Sequence, residues 1–62
     1  MKSQFKVGDR ALVSPAVTNA SNWQTGTILE VENNPFNGII ISIKTDAGLI
    51  YFHQEKYFKK EQ

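Results

Sequence analysis

Four isoleucines fall in the six positions Ile39-Ile40-Ile41-Ser42-Ile43-Lys44, with Asn37-Gly38 just before them and Thr45-Asp46-Ala47-Gly48 just after. β-Branched side chains lose rotamer freedom in a helix and fill a pleated surface well, so this run is a strand. Asn-Gly and a Gly-terminated turn are hairpin chemistry, because glycine takes positive φ at little cost. The next run, Leu49-Ile50-Tyr51-Phe52-His53, is again made of strand formers, so two hairpins in series give a meander. Side chains alternate across a strand, which sends Ile39, Ile41 and Ile43 inward.

The rest of the chain reads the same way. Val7-Gly8-Asp9-Arg10 supplies a turn before the extended Ala11-Leu12-Val13-Ser14. Ala11 and Val13 share one face, and Arg10, Leu12 and Ser14 the other. Pro15 ends that strand, and residues 15 to 22 are small and polar without either period, which predicts the longest loop. After Trp23, residues 24 to 32 form a long strand bent at Gly26. Ile28 and Leu29 are adjacent and both apolar, which breaks strict alternation and marks a place where the two faces exchange roles. Asn33-Asn34-Pro35-Phe36-Asn37-Gly38 concentrates turn residues, with Asn37 and Gly38 suited to positive φ. Residues 54 to 56 suit a single helical turn and residues 57 to 59 a closing strand. The fold class is therefore all-β: a small five-stranded barrel, closed or nearly closed.

A chain of 62 residues makes one domain, residues 1 to 62, and has no room for a second core. It buries only about 60% of the surface its unfolded form exposes, so its stability margin is thin and self-association is open to it. The absence of cysteine excludes disulfides and thiolate metal sites, and it fits a reducing, cytoplasmic setting. Seven basic against six acidic side chains leave a net charge of +1. Such a balance offers about three or four phosphate contacts, too few for a dedicated nucleic-acid binder. The first six residues, Met1-Lys2-Ser3-Gln4-Phe5-Lys6, carry no apolar run, so neither a secretion leader nor a membrane span is expected there.

Trp23, where the long loop meets a strand, either caps the core or stacks on a partner group. Phe36, in the middle of a turn, is less readily placed in the core and with Trp23 is a candidate for an exposed aromatic surface. Tyr51 and Phe52 are neighbours on one strand and must face opposite ways, so one of them points outward or toward another subunit. Tyr51 joins the candidate surface, with Asn34 of the same turn as Phe36 and Lys56 of the C-terminal lysines Lys56, Lys59 and Lys60. Phe5, Tyr57 and Phe58 read as the plugs that close the ends of a small core. His53 is the sole histidine and has no legible partner for catalysis or metal binding. Asp9, Glu30, Glu32, Asp46 and Glu55 sit at turns and outward strand positions. With no phosphate-cradling glycine loop and no nucleophile motif, neither enzyme activity nor a cofactor or metal is expected.

The order of Val7-Gly8-Asp9-Arg10, Trp23-Gln24-Thr25-Gly26-Thr27-Ile28 and Asp46-Ala47-Gly48 resembles SH3-like barrels of the KOW and Tudor kind, over residues 5 to 58. That resemblance implies a binding module for protein tails, peptides or RNA, and the small net charge favours protein or peptide over nucleic acid. Gly8-Asp9-Arg10, Trp23-Gln24 followed by Gly26 and Ile28, and Ile50-Tyr51 also look like the small plasmid-type dihydrofolate reductases. This similarity implies an oligomeric, cofactor-binding barrel with Ile50, Tyr51 and His53 lining a shared pore. Leu49 stands where that family has its ligand-recognising glutamine, and Ala11-Leu12-Val13-Ser14 where it has basic residues, which implies an inactive relative.

Overall fold

The computed structural model describes residues 3–61, so the reading of the N-terminus rests partly on Met1 and Lys2, outside the described residues. Five strands form one antiparallel sheet: β1 (Arg10–Val13), β2 (Gln24–Asn34), β3 (Gly38–Thr45), β4 (Ile50–Gln54) and β5 (Phe58–Lys60). A helical turn, α1 (Pro15–Thr18), follows β1, and a 3₁₀ turn (Glu55–Tyr57) joins β4 to β5. The strand order is β4-β3-β2-β1-β5. The all-β class, the meander and the short helical turn near residue 55 are as the sequence predicts.

Ile39, Ile41 and Ile43 are buried on one face of β3, together with Ala11 and Val13 of β1 and Ile28 of β2. Val31, Tyr51, Tyr57 and Val17 pack against this core from its margins. The pairing of β2 with β3 slips between Ile28 and Glu30, leaving Leu29 as an extra, exposed residue. This bulge exchanges the faces of β2: Ile28 points inward before it and Val31 after it. A bulge bends its strand and increases local twist, which lets one sheet curve around its own core.

The ends of the core are sealed by chain segments held with specific bonds. Ser3 Oγ donates to Glu55 Oε2 at 2.6 Å, and the Phe5 N–H donates to Ser3 Oγ at 3.0 Å, which seats the buried Phe5 against the 3₁₀ turn. The turn at residues 6 to 9 is fixed by Asp9, whose Oδ2 accepts from the Lys6 N–H at 3.0 Å. Gly8 N–H then donates to Ile28 O at 2.8 Å, tying the turn to β2.

Two glycines are required by the backbone. Gly38 opens β3 at φ +79, a left-handed conformation that L side chains rarely adopt. Gly26 lies between Ala11 and Thr45 on the inner face, where strands approach so closely that a Cβ would sit 2.4 Å from the Lys44 carbonyl oxygen and 2.8 Å from Thr45 Cα.

Three expectations are corrected. The sheet is not closed into a barrel: among the described residues, β4 pairs only with β3 and β5 only with β1. Closure needs the two edge strands to bond to one another, and here β5 has only three residues, all paired to β1. Residues 15 to 22 do not form an unbroken loop, because α1 occupies residues 15 to 18. Ser14 Oγ caps it by accepting from the Ala16 N–H at 3.0 Å, Pro15 supplies a preset φ at the first position, and Asn19 ends it at φ 66. Asn37 does not share positive φ with Gly38, since among the described residues Asn19 alone does so without being glycine.

Candidate functional site

The two edges of the sheet differ in chemistry. β5 ends in Lys59 and Lys60, and charged lysines on an edge discourage another chain from pairing there. β4 reads Ile-Tyr-Phe-His-Gln, without lysine, arginine, carboxylate or proline.

The backbone of β4 is also phased toward solvent at fixed positions. Thr45 N–H donates to Leu49 O at 2.7 Å, which makes these two a bonded pair. In an antiparallel ladder bonded pairs alternate, so Ile43 with Tyr51 and Ile41 with His53 are bonded too. The N–H and C=O groups of Ile50, Phe52 and Gln54 therefore face away from β3. Gln54 N–H is occupied by His53 Nδ1 at 2.8 Å. α1 packs near β4, yet among the described residues no backbone bond joins β4 to any strand but β3.

Side chains above this edge form an apolar surface. Phe52 is 70% exposed and Ile50 60% exposed, on the outer face opposite Ser42 and Lys44 of β3. A shallow depression of about 340 Å³ is lined by Asn37, Ile40, Phe52, His53 and Gln54. Its rim is fixed by Gln54 Nε2, which donates to Asn37 O at 3.2 Å and so ties β4 to the turn that carries Phe36. A larger depression of about 570 Å³ lies by β5 among Gln4, Leu12, Lys59, Lys60 and Glu61. Three of its five lining side chains are charged, whereas the lining of the smaller one carries no lysine, arginine or carboxylate.

Phe36 is 91% exposed at the tip of the β2–β3 turn. Asn34 builds that turn, its Oδ1 accepting from the Phe36 and Asn37 N–H groups at 2.8 and 2.9 Å. Tyr51 is half-buried against the core, on the inner face opposite Ile43, and its neighbour Phe52 is the outward ring of the pair. Lys56 is exposed with Nζ 5.4 Å from the Tyr57 ring centre, and His53 meets the same ring edge-on at 4.2 Å. Trp23 is exposed at the other end of β2 from Phe36, with Lys59 Nζ 4.4 Å from its ring centre. The structure thus joins Asn37 to β4, leaves Phe36 projecting from the adjoining turn, and sets Trp23 apart with Lys59. No family model, curated protein or solved structure matches the chain. Its surface alone carries the functional reading.

Among the described residues, no cluster of three or more histidines or carboxylates is arranged to hold a metal ion, and no helix is long and apolar enough to cross a membrane. The best-formed charge pair lies away from β4. Arg10 donates in bidentate fashion to Asp46 at 2.9 and 2.7 Å, also bonds Thr27 Oγ1 at 3.0 Å, and has Glu61 at 3.6 Å. It links β1, β2 and the β3–β4 turn across the outer face.

The hydrogen bond from Arg10, aided by its charge, holds the Asp46 carboxyl below its ordinary pKa of 3.8. A depressed folded-state pKa contributes stability that is present above the ordinary value and lost as pH falls through the folded one. The pair is exposed and its contribution small. Acidification below pH 3.8 is therefore expected to destabilise the wild type slightly more than Asp46→Asn. Urea unfolding of both proteins at neutral and acid pH checks this: the stability gap between them should narrow in acid, and a gap independent of pH would remove Asp46 from the account.

Proposed function

We propose that this chain is a non-enzymatic binding module, an SH3-like domain of the cytoplasm, that takes up an extended segment of a protein along β4. The observation that carries the reading is the free edge itself: alternate backbone groups at Ile50, Phe52 and Gln54 face outward beneath exposed Ile50 and Phe52 side chains. Added strands gain main-chain hydrogen bonds from such an edge and specificity from pockets for alternate side chains. The depression between Ile40, Phe52 and Gln54 suits one apolar side chain of the incoming segment. Nucleic acid would instead seek Lys59, Lys60 and Trp23, where few cations are gathered.

Random peptides displayed on phage provide a probe without assuming a sequence. Selected peptides, titrated into isotope-labelled protein, should shift the amides of Ile50, Phe52 and Gln54 first. Phe52→Pro should weaken that binding by about tenfold or more, since it deletes one docking N–H and one ring. It should keep the fold, because proline is tolerated where the N–H points off an edge. Shifts confined to Trp23 and Lys59, or no selected binders at all, would overturn the β4 reading.

A further inference from the structure

We propose that the segment β4 takes up in solution is β4 of a second copy of this chain, paired antiparallel about a two-fold axis at Phe52. The proposal rests on the reading of β4 as a docking edge and names its partner. An isologous contact requires a surface that complements itself under a two-fold rotation. The outward backbone groups fall at residues 50, 52 and 54, which are symmetric about 52. Pairing Phe52 with Phe52 of the second copy lets each Phe52 N–H donate to the other's C=O. It also lets each Ile50 N–H donate to the opposite Gln54 C=O. These four bonds disturb nothing in the fold, and two more form if Gln54 N–H leaves His53 Nδ1.

Side chains and charge agree with this register. Phe52 meets its own copy directly and lies diagonal to the opposing Ile50, within reach for packing of large rings and branched chains. No lysine, arginine or carboxylate of β4 is brought opposite a like charge, because β4 has none. Self-pairing of β5 would place Lys59 and Lys60 against their own copies, and it offers only three residues. The exposed apolar residues Ile50 and Phe52 are covered by the pairing, adding buried surface that so small a chain lacks. A five-residue edge buries less than the ~1,600 Å² of a standard interface, so half-association is expected near ~0.1 mM.

Sedimentation equilibrium from about 10 µM to about 1 mM tests the pairing across that range. The mass should rise from 7.0 kDa toward twice that value and no further. Phe52→Lys and Phe52→Glu should each weaken association by about tenfold or more by opposing like charges, and an equimolar mixture of the two should restore it. Restoration by mixing is the result that a merely structural role of Phe52 cannot produce. A wild-type mass fixed at 7.0 kDa, growth past the dimer, or undiminished association of the single variants would each overturn the proposal. If the wild type stays monomeric while displayed peptides still shift the β4 amides, self-pairing fails and the docking edge stands. If neither occurs, both readings fail.

Discussion

Gly26→Ala is expected to cost about 3 kcal/mol and to lower the thermal midpoint by about 12–24 °C. The cause is contact rather than conformation. A Cβ at residue 26 would meet the Lys44 carbonyl oxygen at 2.4 Å, Thr45 Cα at 2.8 Å and the Lys44 carbonyl carbon at 2.9 Å. All three are backbone atoms of the neighbouring strand, so relief requires β2 and β3 to separate where Ala11, Gly26 and Thr45 sit in one row. A domain of this size has about 3–5 kcal/mol to lose, so a large unfolded fraction should be visible without denaturant. Gly38→Ala provides the contrast. Gly38 has φ +79 and open space around its Cα, so its substitution should cost only the conformational strain of about 1–2 kcal/mol. Thermal unfolding by circular dichroism of both variants decides the matter, and a Gly26→Ala cost no larger than that of Gly38→Ala would refute the close approach.

The second large effect lies within the isoleucine run. Ile41 is fully buried, paired with Val31 and His53 on the inner face, and Ile41→Ala should destabilise by about 2–5 kcal/mol through lost burial and a residual cavity. Ile40, one residue earlier, is half-exposed on the outer face beside Phe52, and Ile40→Ala should cost under about 1 kcal/mol. Chemical denaturation of the pair reads the alternation directly. Similar costs at both positions would mean that β3 is covered on both faces, which would also deny β4 its exposed outer surface.

Much of this architecture is legible in the residues because it is local. The period of two in Ile39, Ile41 and Ile43, the Gly-Asp turn and the adjacent Ile28 and Leu29 each act through neighbours in sequence, and the structure places them accordingly. What could not be read is set by distant parts of the chain. Whether β4 and β5 bond to one another depends on how far the sheet curves, which no pair of nearby residues records. α1 was obscured because four residues show no helical period, although Ser14 before Pro15 is a start signal that a search for caps would find. The site divides in the same way. Neighbours in sequence leave Phe36 and Trp23 open between core and surface, and both are exposed, at opposite ends of β2. Adjacency sends Tyr51 and Phe52 to opposite faces, and the pairing with Ile43 and Ser42, set by β3, decides which faces inward. Asn34 serves the turn with both bonds of its Oδ1. The charge-free character of β4 was visible in the sequence, and it gains meaning only once β4 is known to be an edge.

The unequal edges also bear on what a crowded population of these molecules can become. A sheet with two receptive edges can add copies without limit and grow into a filament. Here β4 carries no lysine, arginine or carboxylate, and β5 is short and carries Lys59 and Lys60. If β4 pairs as proposed, its edge is used up in a single encounter, and the short, lysine-bearing β5 offers a poor second edge for growth into fibres.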